Sequence, residues 1–211
     1  VIYNFKYSNH NSRGEVLDYL KENNFTRVID VGATMNGWSK DFMTHYLDIN
    51  KWENFSQIGF HGNICLYSTW EPVLVDVQKN GLFDFAICSH VLEDIASPQF
   101  VCEMLCRIAK GGFIAVPSKN TELSKGINGP YLGYVHHRWI YNKENNKFVA
   151  YPKLNFLEFY DHSHIINKFY PTINELCFFW KDNFELTIAN NDFMGPNVES
   201  VYGYFKGLNF E

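Results

Sequence analysis

The sequence predicts an α/β protein with a mostly parallel sheet and helices on both faces. Three observations carry this. Between residues 12 and 118, apolar strand-like runs alternate with helical patterns, as in successive βαβ units. The run 83–88 (FDFAIC) is apolar but for Asp84, as in a strand buried on both sides. Gly111-Gly112 then ends a helical pattern just before another apolar run, which turns the chain back into the sheet.

The elements follow in order. Val16, Leu17 and Leu20 recur at helical spacing, so 12–24 reads as a helix. Ser12 and Glu15 form its expected capping box, with Ser12 as N-cap. Residues 27–31 are a short strand ending at Gly32, and 37–45 read as a helix. The next strands are 46–49 and 56–61. Trp70, Leu74 and Val77 keep helical spacing ahead of the 83–88 strand. Pro98 opens another helix, with Val101, Met104, Leu105 and Ile108 on one face, and 113–116 is the strand after it. Right-handed crossovers are expected throughout. The last third differs. Residues 139–141 and 148–151 flank an Asn-rich turn and predict a β-hairpin. Residues 172–180 read as a helix after Pro171. Phe184, Leu186 and Ile188 alternate, as residues 201–204 do more loosely, and predict a closing antiparallel pair.

Composition narrows the function classes. The 211 residues suit one domain, with a core at about 12–118 and 172–208 and an insertion at about 119–171. Aromatic residues make up 18%, enough for a sizeable core. The net charge is −5. No basic stripe is visible, so neither nucleic acid nor a membrane surface is an expected partner. No apolar run approaches the length of a membrane span. The first twelve residues lack the basic-then-apolar order of a secretory leader. Five cysteines (Cys65, Cys88, Cys102, Cys106, Cys177) show no CxxC spacing, which fits free thiols in a reducing, cytoplasmic setting. No metal is expected. Asp161-His162-Ser163-His164 reads as a polar loop rather than a ligand set.

Ligands of parallel sheets bind beyond the carboxyl ends of the strands, where strand order reverses. The first such end is the loop Asp30-Val31-Gly32-Ala33-Thr34-Met35-Asn36-Gly37. Its two glycines allow a tight turn. They lack dinucleotide spacing, and no P-loop Lys follows, so a nicotinamide oxidoreductase is disfavoured. Asp48, 18 residues after Asp30, can accept both hydroxyl hydrogens of a ribose or cap its own strand end. His90, His136 and His137 are the candidate acid–base groups, and Arg138 can clamp a carboxylate or phosphate. For His90 the other reading is a cap on the helix that follows, and for 136–138 a hairpin with a solvated basic end. Glu93 and Asp94 read as the solvated edge of a short helix.

Four segments in order now carry a resemblance: Val-Ile-Asp-Val-Gly (28–32), Leu-Asp-Ile (47–49), residues 83–95, and Ala-Lys-Gly-Gly-Phe-Ile-Ala-Val-Pro (109–117). Together they resemble the class I, Rossmann-like S-adenosylmethionine-dependent methyltransferases, of methyltransferase type 11 kind, over about residues 27–118. His-His-Arg-Trp (136–139) also resembles a subgroup of methyltransferase-like proteins. The resemblance implies a mostly parallel seven-stranded sheet with a hairpin insertion after the fifth strand. It implies S-adenosyl-L-methionine as cofactor, with Asp30 among the residues that bind it and the backbone around Gly32 and Ala33 near its methionine part. Asp48 would lie on the ribose, and Ile49, Asn63 and Ile64 at the adenine. Ser89, His90 and Leu92 would line the methionine end. The loop carries fewer glycines than is usual, and Asn63 stands where Asp is common.

The expected enzyme methylates a small molecule, such as a sugar or another metabolite. His90 and His137 are its catalytic candidates, and His136, His137 and Arg138 contact the acceptor. A homo-oligomer is left open. The alternative is a non-catalytic binding or interaction domain that keeps the fold.

Overall fold

The computed structural model describes residues 1–9, 11–159 and 173–189, with 199, 203 and 207 as single residues. Ten strands (β1–β10) and four helices (α1–α4) are found among these residues. The main sheet takes strands β1 (Ile2–Ser8), β2 (Val28–Val31), β3 (His45–Asp48), β4 (Ile58–His61), β5 (Phe85–Ser89), β6 (Gly111–Pro117) and β9 (Glu175–Lys181). Their order is β1-β9-β6-β5-β2-β3-β4. Strands β2 to β6 are mutually parallel. Strand β9 runs antiparallel to both β6 and β1. This is the Rossmann-like, mostly parallel seven-stranded sheet that the sequence predicts.

Alternation along each strand divides the core into two faces. Ile29, Val31, Leu47, Ala86, Cys88, Ile114 and Val116 meet Trp70 and Val73 of α2 (Tyr67–Asn80) and Val101, Met104 and Leu105 of α3 (Pro98–Ile108). Val28, Tyr46, Phe85, Ile87, Phe113 and Ala115 meet Val16 and Leu20 of α1 (Ser12–Asn23) and Met43 from the β2–β3 connection. Burying each large apolar side chain contributes roughly 1.5–3 kcal/mol. Helices therefore cover both faces, as expected.

The structure corrects several local readings. Residues 175–181 form strand β9, not part of a helix. Leu176, Phe178 and Trp180 enter one face and Cys177 and Phe179 the other. A five-residue apolar run (176–180) satisfies a doubly buried strand as well as a helix, and pairing with β6 and β1 decides it. Residues 37–44 are turns rather than a helix. Ser12 is not the cap of α1. Asn11 holds that position without a side-chain cap bond, and the buried Ser12 hydroxyl donates to Glu175. Glu15 pairs instead with Lys6 (2.6 Å). Strand β1 adds a sheet edge outside the 12–118 and 172–208 boundaries.

After β6 comes the short helix α4 (Lys119–Glu122), then β7 (Trp139–Glu144) paired antiparallel with β8 (Lys147–Pro152). Strand β10 (Leu186–Ile188) joins β8 in parallel, not the antiparallel partner expected at 201–204, of which only Gly203 lies among the described residues. Tyr141, Phe148 and Ala150 press this small sheet onto the first face of the main core. Ile140, Val149 and Tyr151 form a second cluster with Leu123, Leu132 and Leu157. The small sheet thus leans over the carboxyl ends of β5 and β6. The polar motif at 161–164 lies outside the described residues.

Candidate active site

From β2 the chain moves outward to β3 and β4, then crosses to β5 and β6 on the other side. The reversal point lies between the carboxyl ends of β2 and β5, where a ligand crevice forms. Backbone bonds lock these ends together. The Gly32 amide donates to Leu47 O (2.8 Å), Gly62 to Asp48 O (3.1 Å) and His90 to Ala115 O (2.8 Å). Gly32 has φ +76°, and a Cβ there would stand 2.1 Å from Val91 Cγ2. Its glycine is therefore required by the turn and by the close approach of Val91.

Most of the expected cofactor residues lie along this edge. Asp48 closes β3 with its carboxylate partly exposed, and its Oδ1 accepts the Asn50 amide (2.7 Å). The strand-end capping reading is thus realised. Ile49 is 72% exposed and offers an apolar face next to it. Asn63 caps its own turn by accepting the Cys65 amide (2.9 Å). Ser89 closes β5, and its buried hydroxyl has no partner among the described residues. Such an unsatisfied group at a strand-end crevice fits a polar ligand.

Others sit deeper. Ala33 and Ile64 are buried, and Ile64 uses its carbonyl to accept Trp70 Nε1 (2.7 Å). Leu92 is fully buried in the first core face, with its carbonyl accepting the Tyr141 hydroxyl (2.9 Å). Asp30 is buried and accepts the Ser39 hydroxyl. Burial pushes its carboxyl up to about 7, with Ser39 opposing and Asp48 adding to the shift.

A cavity of about 330 Å³ opens beside this edge, over the ends of β5 and β6. Two imidazoles of its wall, His90 and His137, pair with buried carboxylates. His90 Nε2 lies 2.9 Å from Glu175 Oε2, and His90 Nδ1 lies 3.4 Å from Glu93 Oε1. Burial opposes the imidazolium, but the hydrogen bonds it donates to both carboxylates outweigh this and raise His90 to about 9. His90 is therefore charged at neutral pH, with each ring nitrogen turned to a carboxylate. That arrangement suits it to positioning Glu93 and Glu175, not to removing a proton. Its φ of +56°, a region His tolerates better than most residues, turns the backbone out of β5.

The second pair is His137 Nδ1 with Glu122 Oε1 (2.7 Å). Glu122 is fully buried and also binds Lys153 Nζ (2.7 Å). Lys153 completes its shell on Leu132 O and Tyr134 O (both 2.8 Å). His136 and Arg138 stand apart from this cavity. They line a neighbouring one of about 920 Å³, shared with His137 and Lys153. The structure thus brings His90 and His137 to one cavity and His136 and Arg138 to the next.

Sequence reading misses Glu93, Glu122, Glu175, Arg13 and Asn174. Glu93 is 1% exposed, not a solvated helix edge. Only Asp94 beside it is exposed. Glu93 Oε2, Arg13 Nε and Asn174 Oδ1 are buried without a partner among the described residues, and all three residues line the 330 Å³ cavity. A glutamate breaking the apolar 175–180 run was the one available signal.

Strand order and the antiparallel β9 give the chain the fold of the class I, Rossmann-like methyltransferases. No family model and no curated protein sequence matches it. Among solved structures it is similar to the methyltransferase domain of bacterial CtHen1, at 13% identity and TM-score 0.47, covering 82% of this chain and 98% of that one. It is also similar to the N-terminal domain of EvdMO1 with SAH bound, at 9% identity and TM-score 0.42, with 82% and 81% covered. A third is a cyclopropane-fatty-acyl-phospholipid synthase-like protein from Lactobacillus casei, at 8% identity and TM-score 0.40, with 84% and 96% covered. These likenesses reach no further than the course of the chain, and the strand order itself carries the fold. Among the described residues, no helix is long and apolar enough to cross a membrane.

Proposed function

We propose that the chain is an S-adenosylmethionine-dependent methyltransferase acting on a small polar molecule. The carrying observation is the 330 Å³ cavity beside the strand-end edge, with three unpartnered buried polar atoms in its wall. Buried polar groups seek partners, and a polar acceptor supplies them. Gly32, Asp48, Ile49, Asn63 and Ser89 would hold the cofactor along the edge. When bound, the cofactor supplies an already activated methyl group, so the protein's work is to position the acceptor.

The residues divide that work. Glu93 Oε2 accepts a hydrogen bond from the acceptor's O–H or N–H, which fixes the direction of its lone pair. Arg13 Nε donates to, and Asn174 Oδ1 accepts from, other polar groups of the acceptor. His90 holds Glu93 and Glu175 in place.

Calorimetric titration with S-adenosylmethionine and S-adenosylhomocysteine tests the cofactor half. Binding in the micromolar range is expected, and Asp48→Ala should weaken it about tenfold or more, since a charge-assisted pair is lost. No heat at millimolar ligand would overturn the reading, and unchanged affinity in Asp48→Ala would remove Asp48 from the ribose. Transfer of a labelled methyl group into a metabolite extract tests the acceptor half. Glu93→Gln should abolish that transfer while sparing cofactor affinity.

A further inference from the structure

Between this cavity and its larger neighbour stands a feature the methyl-transfer reading does not use. Asp94, His136 and His137 each present one ligand atom, all within 4.8 Å of one another. Asp94 Oδ1 lies 3.7 Å from His136 Nε2 and 3.6 Å from His137 Nε2. These separations are too long for hydrogen bonds. They are close to the spacing, roughly 3.0–3.4 Å, of neighbouring ligands around an ion with bonds of about 2.0–2.2 Å. We propose that Asp94, His136 and His137 bind a first-row transition ion such as Zn²⁺ or Co²⁺, with open positions that take an oxygen of the acceptor.

Two further observations point the same way. His137 Nδ1 is 2.7 Å from Glu122 Oε1, and Glu122 is held in turn by Lys153. A carboxylate on Nδ1 fixes the tautomer and directs the Nε2 lone pair outward, as it does for metal-bound histidines. Nε2 stands 3.6 Å from Asp94 Oδ1, and a cation between them would take both as ligands. Independently, Glu93, with a side chain 2% exposed and Oε2 unpartnered, lines the same cavity as Asp94 and His137.

Two imidazoles and one carboxylate favour a borderline ion over Mg²⁺ or Ca²⁺, which prefer oxygen ligands. Three protein ligands leave at least one position for water or substrate, as in catalytic rather than structural sites. The site lies between the two cavities, since His136 and His137 also line the 920 Å³ one. An acceptor oxygen entering it replaces a water ligand, and no covalent bond of the chain changes. Only this last role rests on the methyl-transfer reading, while the ion site stands without it.

The test uses tag-free protein stripped with chelator and titrated with Co²⁺, read by its visible ligand-field absorption, and with Zn²⁺ by calorimetry. About one ion per chain at micromolar affinity or better is expected. Asp94→Asn and His136→Gln, both at exposed positions, should each weaken binding at least tenfold without changing the circular dichroism. Glu122→Gln should weaken it about 10- to 100-fold. No binding at millimolar metal, or unchanged affinity in Asp94→Asn and His136→Gln, would overturn the site. S-adenosylhomocysteine affinity is measured on the same samples without metal. Its absence counts against the methyltransferase reading alone.

Discussion

Gly133 has φ +55°, and a Cβ there would stand 2.6 Å from both Cα and Oε2 of Glu122. The glycine is what allows the 132–134 segment to lie on the Glu122–Lys153 pair. Gly133→Ala combines left-handed strain of about 1–2 kcal/mol with a collision against backbone. It should lower stability in urea by about 2 kcal/mol or more, and a variant as stable as the parent would contradict the contact. Residue-scale chemistry was only partly legible in the sequence. Asp48 and Ser89 could be placed because each closes a strand whose end is marked locally. Glu122 and Glu175 could not, because a glutamate's burial depends on partners 15 to 163 positions away. Their neighbours in sequence carry no trace of Lys153 or Ser12.

Among the elements, β9 joins the two halves of the molecule. It supplies Phe178 and Trp180 to one face, Phe179 to the other, and Glu175 to the candidate site. Phe178 packs edge-on against Phe5, Phe148 and Phe184 at 4.9 to 5.4 Å between ring centroids. Phe178→Ala should therefore cost about 3–5 kcal/mol in chemical unfolding. A loss under 1 kcal/mol would mean that the cluster closes over the gap. The parallel strands were legible because glycine turns and apolar runs recur at βαβ spacing. Strand β9 was not, since an apolar run of its length serves a helix equally until its sheet partners are known. Nor was β1, whose burial follows no strict alternation.

At the scale of the whole molecule, Asp30 and His90 are among the groups that lose stabilisation as pH rises. Asp30 has a folded value of about 7 against an ordinary 3.8. The folded state thus binds the extra proton, and stability falls as pH rises between these values. The loss is on the order of 4 kcal/mol, at about 1.4 kcal/mol per pKa unit. His90, raised from 6.5 to about 9, stabilises the fold fully below 6.5 and loses that contribution as pH climbs through 9. Asp76 and Asp84 act oppositely. Arg27 and Asn80 hold Asp76 low, and Lys110 and the Thr26 and Arg27 amides hold Asp84 low, in each case against burial. Their contribution is present above the ordinary 3.8 and is lost as pH falls through their lowered values. Maximum stability should lie in mildly acidic solution. Asp30→Asn should flatten the descent between about pH 4 and 7, and melting curves across that range for both proteins check this. Parallel descents would exclude Asp30.

The placement of β1 has a consequence for how the chain is made. Its main-chain partner, β9, lies some 170 residues further along, with Ile2 opposite Trp180 and Ser8 opposite Glu175. During synthesis β1 emerges among the earliest of these segments and pairs among the last. Until residues 175–181 leave the ribosome, both β1 and the outer side of β6 expose unpaired strand edges. Contacts of such sequence separation form slowly, and unpaired edges invite association with other chains. While residues 9–174 are being made, the nascent chain therefore keeps its sheet open at the side where the candidate site will later be completed by Glu175.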